Sequence, residues 1–151
     1  METKNSQDLI KDLVHITNDR ISGFEKVEGV VWEGYPDVKS EYDKLISKSK
    51  VMKNELINIL QEDNITFDDS GTVGGALHGA WISIKNSFTT GNSVNSTLEN
   101  VIFGEKSAIE SYRNALDKGD FSEETRKILK DHLHDLETYH HQFEKMLEYR
   151  K

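Results

Sequence analysis

Apolar residues recur every three or four positions along four long segments of this 151-residue chain. This spacing places them on one face of an α-helix, and the polar residues between them fall on the opposite face. The pattern therefore predicts four amphipathic helices, at about 7–31, 37–62, 93–118 and 122–150. The first buried stripe comprises Ile10, Leu13, Val14, Thr17, Ile21 and Phe24. The third comprises Leu98, Val101, Ile102, Glu105, Ala108, Ile109, Tyr112, Ala115 and Leu116.

The lengths of the links between these segments predict how the helices are connected. The first and second helices, and likewise the third and fourth, are joined by short links, which make antiparallel neighbours. We expect Gly119 to be the C-cap glycine of the third helix and Ser122 to open the fourth. The connection 63–92 is too long for a simple link, and its apolar spacing predicts a short helix at about 76–87.

A long crossover between two hairpins is the topology of ferritin-like bundles. The fold class predicted is therefore all-α: a ferritin-like antiparallel four-helix bundle, with residues 1–151 as one domain. We also expect the first and third helices to run roughly parallel, each of them antiparallel to its hairpin partner.

Composition and charge exclude several classes of function. The net charge is -8 and the 19 basic residues are scattered, which argues against nucleic acid and against an anionic membrane surface as partners. The absence of cysteine removes disulfides, thiolate metal sites and cysteine nucleophiles. No apolar run approaches the roughly 20 residues that span a bilayer, and the first residues are polar. By elimination, we expect a cytoplasmic protein.

Two stretches of the chain carry a family resemblance. They are the crossover residues 70–85, SGTVGGALHGAWISIK, and residues 103–112, FGEKSAIESY, of the third helix. Together they resemble a bacterial family of ferritin-like four-helix-bundle proteins of about 150 residues, classed as a domain of unknown function. One departure is Gly79, where the family pattern would have an arginine after the Leu-His pair. The resemblance implies the fold and no activity; a stress-linked accessory role is an expectation from family association alone.

The sharpest candidate for chemistry is a metal half-site on the third and fourth helices. Glu137 and His140 form the Glu-x-x-His motif that ferritin-like di-metal proteins use. Glu105 falls inside the apolar stripe of the third helix, where a carboxylate is costly unless it is paired or bound to a metal. Glu105, Glu137 and His140 would give one iron or manganese ion three protein ligands.

The first hairpin argues against a complete di-metal centre. When the two hairpins are aligned by their stripes, Thr17, Lys50 and Lys53 fall where the second set of ligands should be. A protonated lysine repels a cation, so we expect no cofactor and no redox metal in the core. The competing interpretation is that Glu105 is a buried carboxylate within reach of His140, a lysine of the second helix or an ordered water.

Two further patterns are weaker. His134, Glu137 and His141 are spaced to bind a surface metal, but the favoured interpretation is a solvated charged face with incidental affinity for added zinc or nickel. The glycines at 71, 74 and 75 lack the Gly-Lys-Ser/Thr of a phosphate loop and follow two aspartates. No serine lies in a nucleophile-elbow context, so the sequence offers no catalytic residues.

The sequence therefore favours a protein that is not an enzyme. The leading hypothesis is a non-catalytic ferritin-like bundle that acts through a protein partner, through self-association or as a stress-linked accessory protein. The alternative is a metal-binding ferritin-like oxidase, peroxidase or metal-storage protein that uses Glu105, Glu137 and His140.

Overall fold

A computed structural model describes residues 3–27, 29–67 and 93–150. Across these residues the chain forms four α-helices and one short 3-10 turn, with no strand. The helices are α1 (Lys4–Glu25), α2 (Pro36–Glu62), α3 (Val94–Lys118) and α4 (Glu123–Arg150), and the 3-10 turn is Gly29–Trp32. The all-α four-helix bundle is confirmed. The predicted short helix at 76–87 and nearly all of the crossover lie outside the described residues.

Local capping explains where the helices begin and end. The side chain of Ser93 accepts a hydrogen bond from the Ser96 amide at the start of α3, and Ser122 does the same for Thr125 at the start of α4. The first helix ends at Glu25, earlier than the predicted 31. The residues that follow form the separate 3-10 turn, in which Val31 and Trp32 remain buried.

The four helices form a square in which every packed pair is antiparallel. Within the described residues, α1 packs against α2 and α3, whereas α4 packs against α3 and α2. The Asn5 amide near the start of α1 donates to the Lys118 carbonyl at the end of α3, at 3.3 Å. Further along α1, Arg20 meets Glu105, which lies half-way along α3. The two helices therefore run in opposite directions.

The expectation that the first and third helices run parallel was wrong. Helix α2 ends near the start of α1, where the Gln7 side-chain amide donates to the Asp63 carboxylate at 3.3 Å. Helix α3 begins at the opposite end of the bundle, where Val94 and Leu98 join the same apolar cluster as Phe24. The end of α2 and the start of α3 thus lie at opposite ends of the bundle, so α3 runs in the same direction as α2 and opposite to α1.

The apolar core consists of two clusters, one towards each end of the bundle. One is built around residues 9–16, 52–60, 108–115 and 129–136 of the four helices. The other is built around Phe24, residues 38–45, residues 94–101 and the pair Phe143 and Leu147. On each helix six or seven residues, about two turns, separate the buried members of the two clusters. These intervening turns carry polar side chains, and the candidate site lies at their level in the bundle.

Candidate functional site

A layer of polar side chains crosses the middle of the bundle between the two apolar clusters. We call it the central polar layer. Each helix supplies at least one member: Thr17, Arg20, Ser49, Glu105 and His140. Thr17, Arg20, Ser49 and Glu105 are buried, whereas the His140 side chain is 21% exposed. Mid-bundle side chains on facing helices are where four-helix bundles build metal and cofactor sites.

The centre of this layer is an ion pair between Arg20 of α1 and Glu105 of α3. Arg20 Nη2 donates to Glu105 Oε1, and the two side chains are 1% and 0% exposed. The guanidinium also lies over the ring of Phe24, 5.6 Å from its centroid. Such a pair is costly to desolvate, and its own attraction and hydrogen bonds must compensate for that cost.

The hydroxyl groups of Thr17 and Ser49 lie in the same layer but hydrogen-bond to neither member of this ion pair. Thr17 donates to the Leu13 carbonyl at 2.7 Å, and Ser49 donates to the Leu45 carbonyl at 2.8 Å, each within its own helix. Arg20 Nε and Nη1 and Glu105 Oε2 have no hydrogen-bond partner among the described residues. Burial raises the pKa of the Glu105 carboxyl, although the positive charges of Arg20 and His140 act in the opposite direction.

The structure places the three predicted metal ligands in different surroundings. Glu105 is inside the bundle against Arg20, whereas Glu137 is exposed and lies 3.6 Å from Arg113. His140 Nδ1 faces Glu144 Oε1 at 3.2 Å. Among the residues that the structure describes, no group of three or more His, Asp or Glu side chains could hold a metal ion. The metal site at these residues stays a prediction, and the Arg20 guanidinium occupies the place beside Glu105 that a cation would take.

Sequence reasoning placed Glu105 correctly inside the bundle but missed its partner. The carboxylate bonds neither to His140 nor to a lysine of α2, and Lys50 instead meets Glu25 at 3.3 Å on the surface. A signal for Arg20 was present, because position 20 lies three residues after Thr17 and four before Phe24. That spacing puts Arg20 on the buried stripe of α1, where a charge needs a partner.

A second buried polar group, His132 of α4, was also missed. Its side chain is only 3% exposed; Nδ1 lies 2.9 Å from the Tyr112 hydroxyl and Nε2 lies 3.2 Å from Glu55 Oε1. An ionised Glu55 can only accept, so Nε2 carries the proton and Nδ1 accepts from Tyr112. Burial lowers the pKa of this imidazole, although Glu55 acts in the opposite direction. The arrangement links three helices, and burial of the ring favours its neutral form.

The remaining histidines of the predicted surface site, His134 and His141, are exposed, as is Glu137. His141 and Glu137 line an open groove of about 600 Å³ between α3 and α4. The apolar part of this groove includes Phe103, which is 47% exposed, and the half-buried Ile102. Exposed aromatic side chains of this kind are enriched where proteins contact one another.

Charged side chains flank Phe103 in this groove. Glu99 lies four residues before it and Lys106 three residues after it, and both line the groove and are exposed. Neither forms an ion pair with any residue that the structure describes. The groove therefore presents an apolar centre flanked by an unpaired negative charge on one side, Glu99, and an unpaired positive charge on the other, Lys106.

The comparisons with known proteins give a family and a fold. A family model described as a domain of unknown function (DUF2383) matches residues 5–118. The crystal structure of a conserved hypothetical protein, rv2844, from Mycobacterium tuberculosis has the same fold, with a TM-score of 0.75 and 12% sequence identity. The match covers 97% of this chain and 100% of that one. No curated protein matches the chain. None of the described helices is long and apolar enough to cross a membrane.

Proposed function

The chain belongs to the family of domains of unknown function DUF2383, and we propose that it is a non-catalytic bundle that works by self-association through the groove between α3 and α4. The observation that carries this proposal is the half-exposed Phe103 between two unpaired opposite charges. The proposal has two parts, the absence of metal chemistry in the core and the identity of the associating surface.

The first part rests on the Arg20–Glu105 pair. A di-metal bundle needs its inward carboxylates to neutralise the cations between the helices. Here the inward carboxylate of α3 already bonds to an internal cation, and arginine cannot lose its proton to make room for a metal. The polar layer thus works as a structural ion pair in the place where related architectures perform chemistry.

The second part rests on the symmetry of the charges around Phe103. Glu99 and Lys106 are seven residues apart, about 10.5 Å along the helix. Their midpoint falls between Ile102 and Phe103. A two-fold axis through that midpoint would exchange Glu99 of one copy with Lys106 of the other, and would bring the two Phe103 rings together.

This is the pattern that an isologous dimer requires, because residue i must contact j while j contacts i. Two reciprocal ion pairs would then fix the register of two antiparallel α3 helices, and the aromatic centre would supply the buried apolar area. A second copy of the chain is therefore the occupant that fits the groove.

The test is sedimentation velocity over a range of concentrations with charge-swapped variants. We expect the wild-type chain to dimerise and Phe103→Ser to be monomeric. Glu99→Lys and Lys106→Glu should each be monomeric alone, because each puts like charges opposite one another. An equimolar mixture of the two should dimerise, since both pairs become complementary in the heterodimer. Val51→Ser is the matched control, because Val51 is 49% exposed on α2, away from this groove.

A wild-type chain that stays monomeric at all concentrations, or a mixture that fails to dimerise, would contradict the self-association proposal. The metal-binding alternative, at Glu105, Glu137 and His140, is tested by elemental analysis of protein purified without an affinity tag. Stoichiometric iron or manganese that is lost on Glu105→Gln would make the protein a metalloprotein and would overturn the first part. We expect no such metal.

A further inference from the structure

The outer groove between α1 and α2 has a charge opposite to that of the chain as a whole. Its volume is about 570 Å³, within the range of small-ligand sites. Three lysines line it, Lys26 from the end of α1 and Lys50 and Lys53 from α2, against a single carboxylate, Glu25. The whole chain carries a net charge of -8. The groove is therefore locally positive on a chain that is negative overall.

The one carboxylate in the groove does not neutralise it. Glu25 lies 3.3 Å from Lys50, and both side chains are about half exposed, so their interaction is weak and readily exchanged for another. Lys26 and Lys53 form no ion pair with the residues that the structure describes. Two ammonium groups are thus left facing the same groove.

The rest of the lining suits an oxygen-rich anion. Ser22 and Asn54 add a hydroxyl and an amide donor at the rim, and the buried Ile21 lies at the apolar floor. Lysine ammonium groups bind phosphate as mobile point charges, and two or three of them can converge on one dianionic group. A singly charged carboxylate would leave part of this charge uncompensated.

We propose that this groove binds a small phosphate-bearing molecule, with Lys53 and Lys26 as its principal contacts. Glu25 competes with the ligand for Lys50 and so weakens binding. The site lies on α1 and α2, on helices different from those of the proposed dimer groove, so either proposal can fail without the other.

The test is isothermal titration calorimetry with inorganic pyrophosphate as the probe. Lys53→Gln and Lys26→Gln should each weaken binding by about tenfold, the loss of one charge-assisted hydrogen bond. Glu25→Gln should tighten it. Lys127→Gln is the matched control, because it removes the same charge from an exposed site on α4. If Lys127→Gln weakened pyrophosphate binding equally, the effect would come from the overall charge of the protein, and the proposed site would be wrong.

Two further probes separate the sources of the phosphate. ADP reports a soluble nucleotide, and vesicles of phosphatidylcholine with phosphatidic acid report a lipid headgroup. We expect pyrophosphate and ADP to bind and the vesicles not to. Vesicle binding that depends on Lys53, without binding of either soluble probe, would overturn the proposal of a small ligand, as would failure of all three probes to bind.

Discussion

The ion pair between Arg20 and Glu105 predicts an asymmetric response to the loss of either partner. Both side chains are inside the bundle, 1% and 0% exposed, so water cannot replace the missing partner. In Glu105→Leu the guanidinium is left buried without its carboxylate, and arginine cannot deprotonate. We expect this variant to lose about 3–5 kcal/mol of unfolding free energy, as when one partner of a buried pair is removed.

The reverse substitution, Arg20→Met, leaves a group that can become neutral. Burial already raises the pKa of the Glu105 carboxyl while Arg20 opposes the shift, so removing Arg20 raises the pKa further. When the pKa of a group is higher in the folded chain than in the unfolded chain, the group stabilises the fold fully at pH values below its unfolded-state pKa. This stabilisation is lost as the pH rises through its folded-state pKa. Arg20→Met should therefore be more stable relative to wild type at about pH 5 than at about pH 7.5, whereas Glu105→Leu has no carboxyl at this position and should lose the pH dependence that Glu105 contributes.

The double variant Arg20→Met/Glu105→Leu isolates the interaction. Replacing a buried ion pair by apolar side chains is often neutral or stabilising, so the double variant should recover most of the loss of Glu105→Leu. Glu105→Gln keeps an acceptor for Arg20 and should lose no more than about 1–2 kcal/mol.

Urea unfolding followed by far-ultraviolet circular dichroism measures all four variants at both pH values. Additive losses in the double variant would show that the two side chains do not interact. A single-variant loss below about 1 kcal/mol would show that the pair is not buried.

Three further predictions rest on other contacts. Because burial lowers the pKa of His132, the unfolded chain binds its proton more readily, and stability should fall as pH drops below about 6.5; His132→Asn should reduce this slope in urea unfolding. Tyr42→Phe removes a 2.6 Å buried hydrogen bond to the Phe24 carbonyl and should lower the unfolding free energy by about 1–3 kcal/mol. Gly119→Ala should lower the melting temperature, because the added Cβ would overlap the ring of Phe121.

Each of these predictions has a control in an open position. His134 is exposed on the same helix, so His134→Asn should leave the pH dependence nearly unchanged. Tyr149 is 89% exposed, and Tyr149→Phe should have little effect. At Gly29 an added Cβ would meet no atom within 4 Å, so Gly29→Ala should be tolerated. Equal effects in test and control variants would contradict the packing arguments.

The sequence alone determined which residues form helices and which face of each helix is buried. Helical periodicity is a local property, and the predicted stripes of α1 and α3 are almost wholly inside the bundle, including the polar Thr17 and Glu105. Periodicity did not give the end of the first helix, which was predicted near residue 31. The chain leaves α1 at Glu25 and forms a 3-10 turn before α2. Turns of this kind depend on contacts with other helices, such as the packing of Trp32 against Tyr42.

Only the tertiary structure decided which residues of different helices face one another. Periodicity gives the buried face of a helix but not its direction in the bundle, nor the level at which a neighbour lies opposite. That is why the direction of α3, the Arg20 partner of Glu105 and the burial of His132 were missed. Gly119 illustrates the same limit: it does cap α3, but with a φ of -87°. Glycine is required there because the Phe121 ring occupies the space of a side chain, which no local pattern specifies.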